Sequence, residues 1–197
     1  MALVFQYGSN MSTARLNGAE RLAGDAQLLG QAISKEDFEF VFDVRSDKGY
    51  AVASIEAGHG QKIWGVVYNV PDFLITRGSA KGHNRKSLDA IEAEGKNYRR
   101  IAINLRWRDG RSVSEPVITY VGMTSRSGIR TSFCYVEHIL KGLEEHHMPS
   151  EYVAYIKARI LANNPRLRPQ LFRHIFQFWV YLARRLCSGM NSRLQSF

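Results

Sequence analysis

Residues Leu3 to Ser12 read LVFQYGSNMS: an apolar run, then an aromatic followed by small, polar and turn-forming residues. Leu3 to Gln6 is strand-like. Gly8 has no Cβ, so the backbone can turn sharply and a ligand can approach closely. Ser9 and Asn10 favour turns and helix caps, because their side chains bond nearby amides. Met11 to Leu16 then starts a helix. A strand, a tight turn and a helix start in succession point several backbone N–H groups one way, which makes a cradle for a carboxylate or a phosphate. Tyr7, at the strand end, would wall that cradle and donate its hydroxyl. On local chemistry alone an ordinary capped turn is the commoner reading.

Outward from this stretch, the chain up to about Tyr120 is β-rich. Short apolar runs recur at Leu3–Phe5, Phe38–Phe42, Tyr50–Ile55, Ile63–Val70, Arg100–Trp107 and Val117–Val121, many of them separated by Gly, Asp, Asn or Pro. "GHG", Gly58 to Gly60, reads as a hairpin loop. Ser87 to Ala93 is a short helix with Ser87 as its cap. After Arg130 the pattern turns helical. Thr131 or Ser132 caps a segment bearing Val136, Ile139, Leu140 and Leu143, and Pro149 opens another with Tyr152, Val153, Ile156 and Ile160 at helical spacing. "NNPRLRP", Asn163 to Pro169, is a break. Strands first and helices last predict an α+β fold, a curved or barrel-like mixed sheet with flanking helices. The expected division is a domain over 1–162 and a C-terminal helical extension over 163–197.

A second stretch bears on chemistry: SLDAIEAEGKNYRR, Ser87 to Arg100. Glu92 and Glu94 follow a short apolar helix and precede Tyr98 and a strand. A carboxylate at a helix end beside a sheet is partly desolvated, and desolvation raises its pKa towards what a general base needs near neutral pH. Glu94 reads better as a solvated helix-end residue; for Glu92 the local chemistry leaves both readings open.

Taken together, these residues resemble the gamma-glutamylcyclotransferase-like family. The resemblance rests on Tyr7-Gly8-Ser9-Asn10, on Leu88-Asp89-Ala90-Ile91-Glu92 followed by Tyr98, on "WGVVYNV" from Trp64 and on "ITYVG" with Tyr120. Later echoes are Ser132 with Tyr135, Gly142, and Pro149 with Tyr152. The chain departs from the family at Ala93, where a glycine is usual, and at Thr131, where a proline is usual. The first departure leaves a shifted Glu94 as an alternative to Glu92.

The resemblance implies intramolecular cyclisation of a gamma-glutamyl substrate to 5-oxoproline and a free amine. Glu92 would be the general acid/base. Tyr7, Gly8, Ser9 and Asn10 would cradle the substrate, and Tyr98 and Tyr120 would line its pocket. No metal and no organic cofactor is implied. The alternative is a non-catalytic binding module on the same fold.

The chain has 197 residues, 45% apolar and 23% charged, with a net charge of +9. The basic clusters "HNRK", "YRR" and "RWRDGR" read as a solvated face, so nucleic acid is not the expected partner. Cys134 and Cys187 make no disulfide framework, and Cys134 is expected as a buried structural thiol. "EEHH", ending at His147, reads as a solvated helix end rather than a metal site. No leader-like segment and no stretch of the ~18 apolar residues that span a bilayer is present, so a cytoplasmic protein is expected. The tail "LFRHIFQFWVYLARRLCSGM" is apolar nearly all round. It is expected to pack on its own domain and against a second copy in a homodimer, with peripheral membrane contact as the alternative.

Overall fold

A computed structural model describes residues 1–171. Its main sheet has six strands in the order β6-β8-β1-β5-β2-β7. These are β1 (Ala2–Gln6), β2 (Gln27–Ser34), β5 (Trp64–Val70), β6 (Tyr98–Ile103), β7 (Leu105–Trp107) and β8 (Val117–Gly122). A second sheet is the hairpin β3 (Phe38–Arg45) and β4 (Ala51–Ala57). The architecture is a curled, mixed sheet with flanking helices, as the α+β reading predicted.

β1 sits at the centre, antiparallel to β5 and parallel to β8. Val4 and Phe5 are both fully buried although they point to opposite faces, which is why β1 is an unbroken apolar run rather than an alternating one. The β3–β4 hairpin folds across β8, where the Gly122 N–H donates to Ser54 Oγ at 2.7 Å.

The helices begin where the sequence places them. Ser87 caps α3 (Leu88–Ile91) and Ser132 caps α4 (Phe133–Glu145), each accepting from the N–H three residues on. Pro149 precedes α5 (Ser150–Asn163). Two further short helices are α1 (Thr13–Leu16) and α2 (Arg77–Lys81). Val136, Ile139, Leu140 and Leu143 of α4 are buried, as their spacing predicts. α4 lies against the 3-10 turn Ser9–Met11, and Gly142 permits the approach: a Cβ there would stand 2.6 Å from Met11 Cβ.

Four expectations change. β2 was not anticipated. Its Leu28 and Leu29 are both exposed and a bulge falls between Leu28 and Gly30, so the strand lacks the alternation that betrays others. The run Arg100–Trp107 is broken at Asn104 into β6 and β7, which lie at opposite edges of the main sheet. Gly58–Gly60 joins strands of different sheets and is not a hairpin turn. Cys134 is exposed rather than buried.

The break at Asn163 is where α5 ends, and it is firmly tied. Asn163 Nδ2 donates to the carbonyls of Phe42 and Ile129, and Asn164 Nδ2 to that of Thr131. Leu167 and Leu171 join the core. Residues 168–171 are helical, and the rest of the expected C-terminal helix, with Cys187, lies outside the described residues. Among the described residues no helix is long and apolar enough to cross a membrane.

Candidate active site

The end of β1, the turn after it, the end of α3 and three tyrosines from other elements converge on one open-mouthed cavity. Its unfilled space is about 290 Å³, solvent at the mouth included. Gln6, Tyr7, Gly8, Ser9, Asn10, Ala53, Glu92, Tyr98, Tyr120 and Tyr135 line it. Every residue the sequence marked, Glu92 and the six proposed binders, is therefore brought to one place. Glu94 is not part of the lining, and its carboxylate faces Arg77 at 3.7 Å.

Glu92 ends α3, and the chain leaves the helix through Ala93 in the left-handed conformation, φ 52°. That conformation is the reason a glycine suits this position. Alanine adopts it here, so the helix end keeps its shape and Glu92 its place. Asn10 Nδ2 donates to Glu92 Oε1 at 2.6 Å, and Arg21 Nη1 donates to Asn10 Oδ1 at 2.9 Å. The arginine fixes which way the asparagine amide faces. Burial pushes the Glu92 carboxyl above the ordinary carboxylate range. Arg21, the Asn10 hydrogen bond and Arg15 pull it partly back.

The tyrosines are anchored. Tyr7 Oη donates to the Tyr120 carbonyl at 2.6 Å, and Tyr120 Oη donates to Asp89 Oδ1 at 2.6 Å. Asp89, buried on α3, also accepts from Arg100 at 2.9 and 3.0 Å. Tyr98 Oη donates to the Ala53 carbonyl at 2.6 Å, while the Ala53 N–H donates to Tyr135 Oη at 3.0 Å. Burial pushes Tyr7 and Tyr98 well above the usual phenol value, so both remain neutral donors at physiological pH.

The turn itself is held from behind. The Met11 carbonyl accepts from Tyr68 Oη at 2.9 Å and from His146 Nε2 at 2.8 Å. A carbonyl only accepts, so Nε2 carries the hydrogen. His146 is 6% exposed, which corrects the reading of a solvated helix end. The backbone N–H groups of Gly8, Ser9 and Asn10 meet no acceptor among the described residues.

Sequence reasoning missed Gln6, Ala53, Arg21 and Tyr135 as parts of the site, and Asp89 and Arg100 as its supports. Tyr135 and Asp89 lay inside motifs already singled out. Gln6 stood out only as a polar residue at the end of an apolar run, and nothing in the sequence marked Arg21. Arg85, Arg100 and Arg111 of the basic clusters form ion pairs with Asp25, Asp89 and Asp109. No three His, Cys, Asp or Glu side chains gather in a metal-holding group among the described residues.

The family model for gamma-glutamyl cyclotransferase, AIG2-like proteins matches residues 4–138. The chain belongs to this family. Among solved structures, uncharacterized protein loc79017 from Homo sapiens is 24% identical with a TM-score of 0.65, over 80% of this chain and 86% of that one. A gamma-glutamyl cyclotransferase is 23% identical with a TM-score of 0.63, over 80% and 86% of the two chains. YkqA from Bacillus subtilis is 21% identical with a TM-score of 0.64, over 81% of this chain and 54% of that one. At such identities the likeness speaks for the fold. No curated protein matches the chain.

Proposed function

We propose that this member of the gamma-glutamyl cyclotransferase, AIG2-like family is an enzyme that cyclises a gamma-glutamyl amide to 5-oxoproline and releases the amine. The observation that carries the reading is a carboxyl, Glu92, hydrogen-bonded to Asn10 inside the cavity lined by the Tyr7–Asn10 turn. The unengaged amides of Gly8 to Asn10 would receive the substrate α-carboxylate.

The α-amine arrives as an ammonium. Glu92, ionised, takes one of its protons and frees the lone pair to attack the γ-carbonyl carbon. The ring closes to a tetrahedral intermediate. Glu92 then delivers a proton to the leaving nitrogen, and the C–N bond breaks. Of the three ammonium protons, one stays on the lactam nitrogen and two end on the departing amine, so no other reactant is consumed. The raised Glu92 pKa suits both halves of this cycle, since the group must accept a proton and return it. Nucleophile and electrophile share one molecule. That connection is itself worth on the order of 7–11 kcal/mol against a reaction between two molecules, and a placed base adds roughly a further 100- to 10,000-fold. Tyr98, Tyr120 and Tyr7 would act as walls that keep the glutamyl arm folded.

The test is release of 5-oxoproline from a panel of gamma-glutamyl amino acids, gamma-glutamylamines and glutathione, by wild type and by Glu92→Gln. The expected result is turnover of at least one substrate by wild type and its loss in the variant. Equal activity in the two removes Glu92 as the base. No turnover of any substrate, with salt-sensitive binding of RNA or lipid instead, replaces the enzyme with a binding module.

A further inference from the structure

Gln6 is the last residue of β1, and it lines the cavity. It is 6% exposed, and its Nε2 is buried without a hydrogen-bond partner among the described residues. An unpaired buried donor costs stability, and a methionine or leucine at this strand position would avoid the cost. The four tyrosine hydroxyls around the same cavity are all paired, which makes the Gln6 amide an exception rather than part of a loosely built wall.

A buried donor beside a ligand cavity implies an acceptor on the ligand. The cyclisation reading, on which this inference rests, leaves one substrate acceptor without a partner. The α-carboxylate is assigned to the turn amides and the ammonium to Glu92. What remains is the γ-carbonyl oxygen, which takes on negative charge when the ring closes. The Gln6 amide lies close enough to the Glu92 carboxyl to favour its charge, yet does not meet it in hydrogen-bond geometry. Attacking nitrogen, leaving nitrogen and oxyanion all sit on the same carbon, so a donor beside the proton-carrying carboxyl is also beside the oxyanion. We infer that Gln6 donates through Nε2 to the γ-carbonyl oxygen and stabilises the oxyanion of the tetrahedral intermediate. It is a catalytic residue in the direct sense, and it restricts substrates to those that present a carbonyl oxygen at this point.

Gln6→Met and Gln6→Leu test it with the full chain and the gamma-glutamyl compound that wild type turns over fastest. Both variants remove the donor and keep most of the volume. The expected result is a kcat about 100- to 1,000-fold lower, as for loss of one oxyanion donor, with KM nearly unchanged. The thermal unfolding midpoint is expected to stay the same or rise, because the unpaired donor has gone. A kcat close to wild type in either variant overturns the inference. So does a fall in unfolding midpoint in both variants accompanied by a rise in KM, which marks Gln6 as packing. Failure of the underlying reading looks different: wild type itself then releases no 5-oxoproline, and the inference falls with it.

Discussion

The cavity has two sides built on opposite rules. On the tyrosine side, Tyr7, Tyr98, Tyr120 and Tyr135 are satisfied by protein partners before any ligand arrives. On the other side, the backbone amides of Gly8 to Asn10 and the Gln6 side-chain Nε2 have no partner among the described residues, and Glu92 is pushed above its ordinary pKa. The first side fixes shape and the second keeps its hydrogen-bonding capacity for something else. Stability and chemistry are thereby separated along one boundary, and substitutions on the two sides are expected to differ in kind.

The largest effect is expected from the acid side. With Glu92 as the base, kcat/KM rises with pH through a pKa above the ordinary carboxylate range. Glu92→Gln flattens that limb and lowers turnover by about 100- to 10,000-fold. The sign for stability is opposite. A folded-state pKa above the unfolded one means that the folded protein binds the proton more tightly, so stability falls as pH rises from the unfolded value through the folded one. Glutamine does not titrate, so the variant gains stability relative to wild type across that window. Thermal melts at a series of pH values measure the gain, and a stability difference between variant and wild type that does not change across the window would break the comparison.

Gly142→Ala comes next. Its new Cβ would press on Met11 Cβ at 2.6 Å and on the Ser12 amide at 3.0 Å. The expected cost is about 1–3 kcal/mol in denaturant unfolding. KM should rise too, because the turn that carries the free amides is displaced while the tyrosine side stays in place. Tyr98→Phe sharpens the contrast from the other direction. It removes the bond to the Ala53 carbonyl and is expected to cost about 1 kcal/mol of stability with kcat unchanged. A large kcat loss would move Tyr98 across the boundary. The smallest effect is expected at Ala93→Gly, which relieves a left-handed alanine. It should stabilise the protein by up to about 1 kcal/mol, part of the relief being lost to the more flexible unfolded chain, and leave kinetics alone.

The sequence made these two sides unequally legible. The turn and Glu92 could be singled out because each is a local pattern: strand, glycine, caps, then a capped four-residue helix with a carboxylate at its end; local chemistry left the role of each open, and the family resemblance supplied it. Ala93 obscured the pattern, since an alanine gives no hint that its backbone is left-handed. Tyr7, Tyr98 and Tyr120 were readable as pocket residues, but their partners were not. Tyr7 meets Tyr120 across 113 positions and Tyr98 meets Ala53 across 45, separations that no local spacing encodes. The part Gln6 plays was hidden for the same reason, because its lack of a partner among the described residues is a property of everything packed around it. His146 was misread because a polar pair at a helix end is ordinarily wet, and only the fold brings the Met11 carbonyl within its reach. β2 escaped because its leucines face outward and a bulge interrupts its period.

The bond from His146 to the Met11 carbonyl spans 135 positions. During synthesis the opening turn therefore leaves the ribosome long before the helix end that props it. At translation speeds of about 5–20 residues per second the gap is roughly 7–27 s. Throughout that interval the nascent chain carries the Tyr7–Asn10 signature without its His146 support, so the turn reaches its full set of supports only when most of the domain has emerged.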